Sequence, residues 1–211
     1  MYVKYGKRIL DIITAIGALA VFIIPILLLI PFARRDTQGS GIIKQLRFGR
    51  NKQPFTLYKI RTMHVSTPER STNDFKDSKS YISRFGKILR KLSLDELPQL
   101  INVLRGDMSI VGPRPVILKE TKLIELREQV GANSVKPGIT GWAQVNGRDE
   151  LNDVVKSRMD GEYVKNLGFS MDVKCLVLTV IAVLAIKGHR EGHELDGAEV
   201  GFDSGLMADE G

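Results

Sequence analysis

Residues 12–33 form an almost unbroken apolar run, from Ile12 to Ala33. A helix of about 22 residues measures roughly 33 Å, enough to cross the hydrocarbon core of a bilayer. Pro25 stands in the middle of the run, where it removes a backbone hydrogen bond and crowds the preceding turn, and Pro31 repeats the interruption. Lys4, Lys7 and Arg8 precede the run, and Arg34 and Arg35 follow it. Basic flanks favour the cytoplasmic side. The pattern therefore predicts a helix-break-helix hairpin that enters the membrane and returns, with a kinked single span as the other reading. A cleavable signal peptide fits less well, because the run is long and no small-x-small site precedes a polar start. Asp11, at the mouth of the run, is expected to pair with Lys7 or Arg8, since an unpaired charge there is costly.

Beyond this segment the periods are mixed. Gly39 and Gly41 mark a loop, and residues 54–63 alternate weakly and carry β-formers, which predicts a short strand. Residues 64–80 are polar and turn-rich, the expected mobile loop. Tyr81, Ile82, Phe85, Ile88, Leu89 and Leu92 recur at helical spacing, with Arg84, Lys87, Arg90 and Lys91 opposite them. That basic amphipathic face is either solvated or laid on a membrane surface. Residues 98–105 and 116–130 predict further helices, and residues 131–148, rich in Gly, Pro and Asn, predict loops. The apolar run from Cys175 to Ile186 is too short to span and predicts a helix that is buried or partly interfacial. The fold expected is mainly α with short β elements: a membrane hairpin over residues 1–35, one catalytic domain over 36–188 with interfacial amphipathic helices, and a tail over 189–211.

Charge sharpens this division. The formal net charge is +7, yet residues 191–211 hold seven acidic side chains and no lysine or arginine, so the preceding residues carry +14. The acidic, glycine-containing end reads as a flexible tail. A body so basic suits anionic lipid, a phosphorylated substrate or nucleic acid. The aromatic residues do not interleave with the basic ones as an RNA-binding sheet requires, which sets nucleic acid aside. Cys175 is the only cysteine, so an internal disulfide or a cysteine-based zinc cluster is excluded, and its apolar surroundings make it a buried bystander.

Candidate chemistry concentrates in a few stretches. In Leu92-Ser-Leu-Asp-Glu-Leu-Pro-Gln-Leu100, Ser93 and Glu96 have capping-box spacing and Pro98 suits a first helical turn. Asp95 and Glu96 would then sit at a helix N-terminus, which favours carboxylates. An adjacent Asp-Glu pair is able to hold Mg²⁺, or to let one carboxylate attack phosphorus while the other serves as metal ligand or base. Arg114, between Pro113 and Pro115, is held on stiff backbone and presents a fork to phosphate. Pro137 to Arg148 contains the only tryptophan, Trp142, and glycines that let backbone approach a ligand. Asp160, Tyr163 and Asp172 lead into the last apolar helix. His189 and His193 have metal-like spacing, but the flanking glycines disfavour a helix and no third ligand is evident. Phosphate-binding glycine motifs and a nucleophile-elbow serine are absent from the sequence.

Five stretches in one order carry a resemblance: Lys7 to Asp11, Phe55 to Met63, Leu92 to Leu100, Gly106 to Pro115 and Pro137 to Arg148. Together they resemble the bacterial sugar transferase family, the monotopic phosphoglycosyl transferases, in its small single-domain form. The likeness runs to about residue 187. It implies transfer of a sugar-1-phosphate from a UDP-sugar to undecaprenyl phosphate, with release of UMP, at the cytoplasmic face of the bacterial inner membrane. Asp95 matches the nucleophile that forms a covalent phosphosugar-aspartyl intermediate, and Glu96 its partner carboxylate, the pair being tied to Mg²⁺. Arg90, Arg114 and Arg148 match positive positions that hold phosphate, and Asp160 and Asp172 acidic positions near the site. The resemblance also implies a re-entrant helix broken at Ile24-Pro25 and contact with membrane lipid; the apolar anchor and missing stacking pattern leave no nucleic acid expected, and a homodimer is an open expectation. The 64–80 loop and the acidic tail match no motif, so the sugar is not named. The intact Asp95-Glu96 pair argues against an inactive scaffold that kept only the fold.

Overall fold

A computed structural model describes residues 2–67, 81–147 and 151–184. A π-helical turn, Tyr2–Gly6, leads into helix α1, Lys7–Thr37. The predicted interruption at Ile24-Pro25 is absent from the helix: α1 is continuous, with Pro25 and Pro31 inside it. A proline costs one i→i−4 bond and need not end a helix whose other backbone groups stay paired. The helix is long and apolar enough to cross a membrane. Its buried positions, Asp11, Ala15, Ile26, Ala33 and Thr37, recur on one helical face, while Ile13, Val21, Ile24, Leu28 and Phe32 are exposed.

The rest of the chain folds against that face. Strands β1 (Ile42–Phe48) and β2 (Pro54–Ile60) form an antiparallel hairpin, with Ile42 opposite Ile60 and Phe48 opposite Pro54. Helix α2 (Arg84–Lys91) starts at Ser83, whose side chain accepts from the Gly86 N–H. After a 3₁₀ turn at Leu94–Glu96 come α3 (Gln99–Arg105), β3 (Ser109–Val111) and β4 (Val116–Ile117). Then follow α4 (Thr121–Gln129), a turn at Ala132–Ser134, β5 (Gly138–Thr140), a short helix α5 (Trp142–Val145), α6 (Asp153–Lys165) and α7 (Phe169–Leu184). The sheet order is β2-β1-β4, all antiparallel, and β3 pairs separately with β5 in parallel.

Three expectations change here. The segment 116–130 is not helical throughout: Val116 and Ile117 extend beside Phe48 and Arg47, and the helix begins at Thr121. The pairing with β1 holds these residues extended, where the charged pattern alone reads as helix. The glycine-rich stretch 131–148 is likewise not all loop. Gly138 sits so close to the Gly112 backbone that any side chain at 138 would collide with it, and β5 pairs there with β3. Asp11 does not pair with Lys7 or Arg8; its Oδ1 accepts from Ser109 Oγ and the Ile110 N–H, each at 2.9 Å.

The main core joins Ala15 of α1 to Leu57, Leu100, Val103, Met108, Val111, Tyr163, Met171 and Cys175, and a smaller cluster joins Ala33 to Ile60 and Leu89. Helix α7 buries Met171, Asp172 and Cys175 and exposes Phe169, Val173, Val177, Val180 and Ile181, so it is half core and half apolar surface.

Candidate active site

Asp95 and Glu96 stand on the Leu94–Glu96 turn, and both are buried. The capping box expected of Ser93 and Glu96 does not form. Ser93 has a left-handed backbone, φ 56°, and its side chain makes no capping bond. The turn is closed instead by backbone: Ser93 N–H donates to the Arg90 carbonyl, and Glu96 N–H donates to the Ser93 carbonyl at 3.2 Å. One consequence is that the carboxylates precede α3 by a turn of their own rather than capping it.

Lys59, on β2, reaches both carboxylates. Its Nζ lies 3.1 Å from Asp95 Oδ2 and 3.4 Å from Glu96 Oε1. Asn102 explains how β2 is brought there. Fully buried on α3, its Oδ1 accepts from the Tyr58 N–H, and its Nδ2 donates to the Thr56 carbonyl at 2.7 Å and to Asp107 at 3.1 Å. That clamp bolts the strand carrying Lys59 to the helix that follows the acidic turn. Lys59 lies within the Phe55 to Met63 stretch, where a lysine inside a run of β-formers is the only sequence signal for this role.

Arg114 completes the near group, its Nη2 lying 3.1 Å from Glu96 Oε1 while its side chain keeps 35% exposure. Residues 111–115, which carry it, are held along their backbone. Val111 O accepts from Lys7 Nζ at 3.0 Å, and the Tyr163 hydroxyl oxygen lies at the same distance. Gly112 N–H donates to Thr140 O at 2.8 Å, and Pro113 O accepts from the Gly138 N–H at 2.9 Å. Arg114 O accepts from Arg127 Nη1 at 2.8 Å, and Pro115 O from Arg47 Nη1 at 3.4 Å. Burial, with Arg114 adding repulsion, lowers the Arg47 guanidinium to about 10.

The other expected site residues are distributed as follows. Arg90 lies on the last turn of α2 and donates to Thr62 Oγ1 at 2.9 Å, one turn before the acidic pair. Asp160 is enclosed and paired with Arg127, whose Nη2 and Nε lie 2.6 and 2.8 Å from Oδ2. Burial pushes the Asp160 carboxyl up, and the Arg127 guanidinium opposes that shift. Asp172 receives Lys7 Nζ at 2.7 Å, Tyr163 OH at 2.7 Å and Tyr2 OH at 2.5 Å. The contacts of Asp160 and Asp172 are thus with these partners, behind Arg114, rather than with the carboxylate pair. Arg148, His189 and His193 lie outside the described residues. Arg127 was missed by sequence reasoning, although it shares a helical face with Leu123, four residues earlier, which marks a charge on a buried stripe.

Taken together, a buried carboxylate pair is flanked by an ammonium and a partly exposed guanidinium on rigid backbone. Such a group is able to gather phosphates and offer them a carboxylate. Among the described residues no group of three or more acidic, histidine or cysteine side chains gathers. A magnesium ion held by one or two carboxylates and substrate phosphates needs no such group, and the Asp95-Glu96 donor set fits that mode.

Comparison with known proteins points to one family. Residues 2–186 match the family model of the bacterial sugar transferases. An uncharacterized sugar transferase, EpsL of Bacillus subtilis, is 43% identical over 183 residues, covering 86% of this chain and 89% of that protein. The UDP-glucose:undecaprenyl-phosphate glucose-1-phosphate transferase of Caulobacter vibrioides is 36% identical over 190 residues, covering 86% of this chain and 71% of that one. A UDP-N-acetylgalactosamine-undecaprenyl-phosphate N-acetylgalactosaminephosphotransferase of Aeromonas hydrophila is 32% identical, and there the match covers 87% of this chain but 45% of the relative. The chain belongs to the bacterial sugar transferase family.

Proposed function

We propose that this chain transfers a sugar-1-phosphate from a UDP-sugar to undecaprenyl phosphate, releasing UMP, by way of Asp95. The observation that carries the reading is the buried Asp95-Glu96 pair bridged by Lys59 and faced by Arg114. An Asp95 carboxylate oxygen attacks the β-phosphorus of the donor. The bond from that phosphorus to the bridging oxygen breaks, and UMP departs with the oxygen. A phosphate oxygen of the acceptor then attacks the same phosphorus, and the bond to Asp95 breaks, restoring the carboxylate. Glu96, beside it, takes the acceptor's proton if the acceptor arrives protonated. Lys59 and Arg114 offset the phosphate charge that would repel an attacking carboxylate. Asp95 and Glu96 would also hold Mg²⁺, which supplies further neutralisation of the diphosphate when bound. A nearly covered nucleophile keeps bulk water from the aspartyl phosphate between the two halves of the reaction.

The same reading places the body on the cytoplasmic surface of the inner membrane, with α1 re-entrant as one continuous helix, bent by its interior prolines rather than broken, that enters and leaves by one face. Both ends of α1 fasten to one body, which supports this. Arg8 donates to the Val103 and Leu104 carbonyls at its start, and Thr37 O accepts from the Val65 N–H at its end. A helix that crosses the bilayer parts its ends by the membrane's thickness. The exposed apolar face of α7 and the basic face of α2 suit the interface beside it. A soluble donor and a lipid-borne acceptor then meet at one site in turn.

The test is mass spectrometry of protein incubated with UDP-glucose or UDP-N-acetylgalactosamine and Mg²⁺, without acceptor. The expected result is a sugar-phosphate adduct on the peptide containing Asp95, lost when undecaprenyl phosphate is added. An adduct on another peptide would move the nucleophile elsewhere.

A further inference from the structure

Arg127 touches neither Asp95 nor Glu96 in any contact described above, yet it is buried on α4 with both ends of its guanidinium committed. One nitrogen donates to the main-chain carbonyl of Arg114 itself, at 2.8 Å. Two others hold Asp160 Oδ2, at 2.6 and 2.8 Å. Asp160 lies on α6, so the contact ties the packed pair α4 and α6 to the loop that carries Arg114. A charge buried this deeply is costly unless paired. Asp160 supplies the pairing, and the remaining donor is left aimed at one backbone oxygen.

The opposite end of the same loop is treated alike. Val111 O accepts from Lys7 Nζ and packs against the Tyr163 hydroxyl, and both of those groups are held by Asp172. Two acidic residues therefore act from behind the loop, each through a basic or phenolic partner, on carbonyls that bracket Gly112 and Pro113. Between them, Gly112 and Pro113 are paired to β5. The side chain of Arg114 is the part of this loop that reaches Glu96.

We propose that Arg127, held by Asp160, is a positioning residue for Arg114: it acts on the reaction only through the place it gives the Arg114 guanidinium. This rests on the reading of the site given above, and it assigns Asp160 an indirect role rather than a phosphate-binding one. A misplacement of about 1 Å at a phosphate-gripping group costs on the order of 10²-fold in rate. A residue that works solely through another loses its effect once that other is changed, whereas independent residues have multiplicative effects.

The experiment is a double-mutant cycle of Arg127→Gln and Arg114→Lys in the full chain, read as kcat/KM for UMP release, alongside thermal unfolding. Arg127→Gln alone is expected to lower kcat/KM by about 10²-fold, and by less than about threefold in the Arg114→Lys background. Asp160→Asn, which keeps the shape and removes the charge, serves as the second variant if Arg127→Gln does not fold, and the same non-multiplicative pattern is expected of it. Effects that multiply across the cycle overturn the proposal while leaving the reading of the site intact. So does a single variant that folds and keeps wild-type kcat/KM. A folded wild type that releases no UMP overturns that reading, and this inference with it.

Discussion

Lys59 governs how much uncompensated negative charge the Leu94–Glu96 turn presents, since its ammonium is shared by two buried carboxylates. Lys59→Ala removes that charge from a covered site, and turnover is expected to fall by about 10²-fold. Activity within a fewfold of wild type would show that the donor's own charge partners suffice. Asp95→Asn keeps the size of the side chain and removes the nucleophile, so it should lower turnover by about 10³-fold or more while thermal unfolding stays near wild type. Cys175 is fully buried, and its burial together with the Asp172 carboxylate pushes the thiol up to about 11. Since the thiolate is the reactive form, this upward shift leaves less of it at pH 8 to 9 than an ordinary cysteine would have. Alkylation in that range should be slow in the folded protein and fast in denaturant; equal rates would place Cys175 at the surface. Sequence reading singled out Asp95 and Glu96 as an adjacent acidic pair and Arg114 as an arginine between two prolines. It did not reach Lys59 or Arg127, whose partners lie 36 or more positions away in one case and on a separate helix in the other. The local signals, a lysine inside a run of β-formers and an arginine four residues after Leu123, do not by themselves name those partners.

Among the elements, α1 shows most clearly how polar residues dock an apolar helix. Its apolar residues face outward over most of the surface, while Asp11 receives Ser109 Oγ and the Ile110 N–H. Asp11→Ala leaves those buried donors without their acceptor, which costs about 1–3 kcal/mol. The expected outcome is a lower unfolding temperature in detergent; an unchanged one would mean that water or another group replaces the carboxylate freely. Ala15 and Ala33, both fully buried, mark the two places where the helix touches the cores. Length and apolarity made α1 legible from the sequence, and amphipathic spacing did the same for α2. The strands were harder. Beta-formers betrayed β2 but not β1, its hairpin partner, and β4 and β5 exist through pairing with distant partners, which charged or glycine-rich segments hide. The capping-box spacing at Ser93 misled for a related reason: the chain satisfies the turn through backbone bonds and a left-handed serine instead.

For the whole molecule, the long apolar helix α1 and the basic body suit docking on an anionic membrane surface. Topology is open to a direct check, because Cys175 is buried and contributes little labelling background. A cysteine placed at residue 2 should react only after the membrane is breached if both ends of α1 are cytoplasmic; reaction with an impermeant reagent from outside would establish a crossing helix. The chemistry itself is tested most directly by UMP release from purified, detergent-solubilised protein, given Mg²⁺ and a panel of UDP-sugars, with and without undecaprenyl phosphate. The account predicts sustained UMP release from one or a few donors only when the acceptor is present, and none from Asp95→Asn. Folded wild-type protein that releases no UMP from any donor, or an Asp95→Asn variant that releases it at the wild-type rate, would contradict the account.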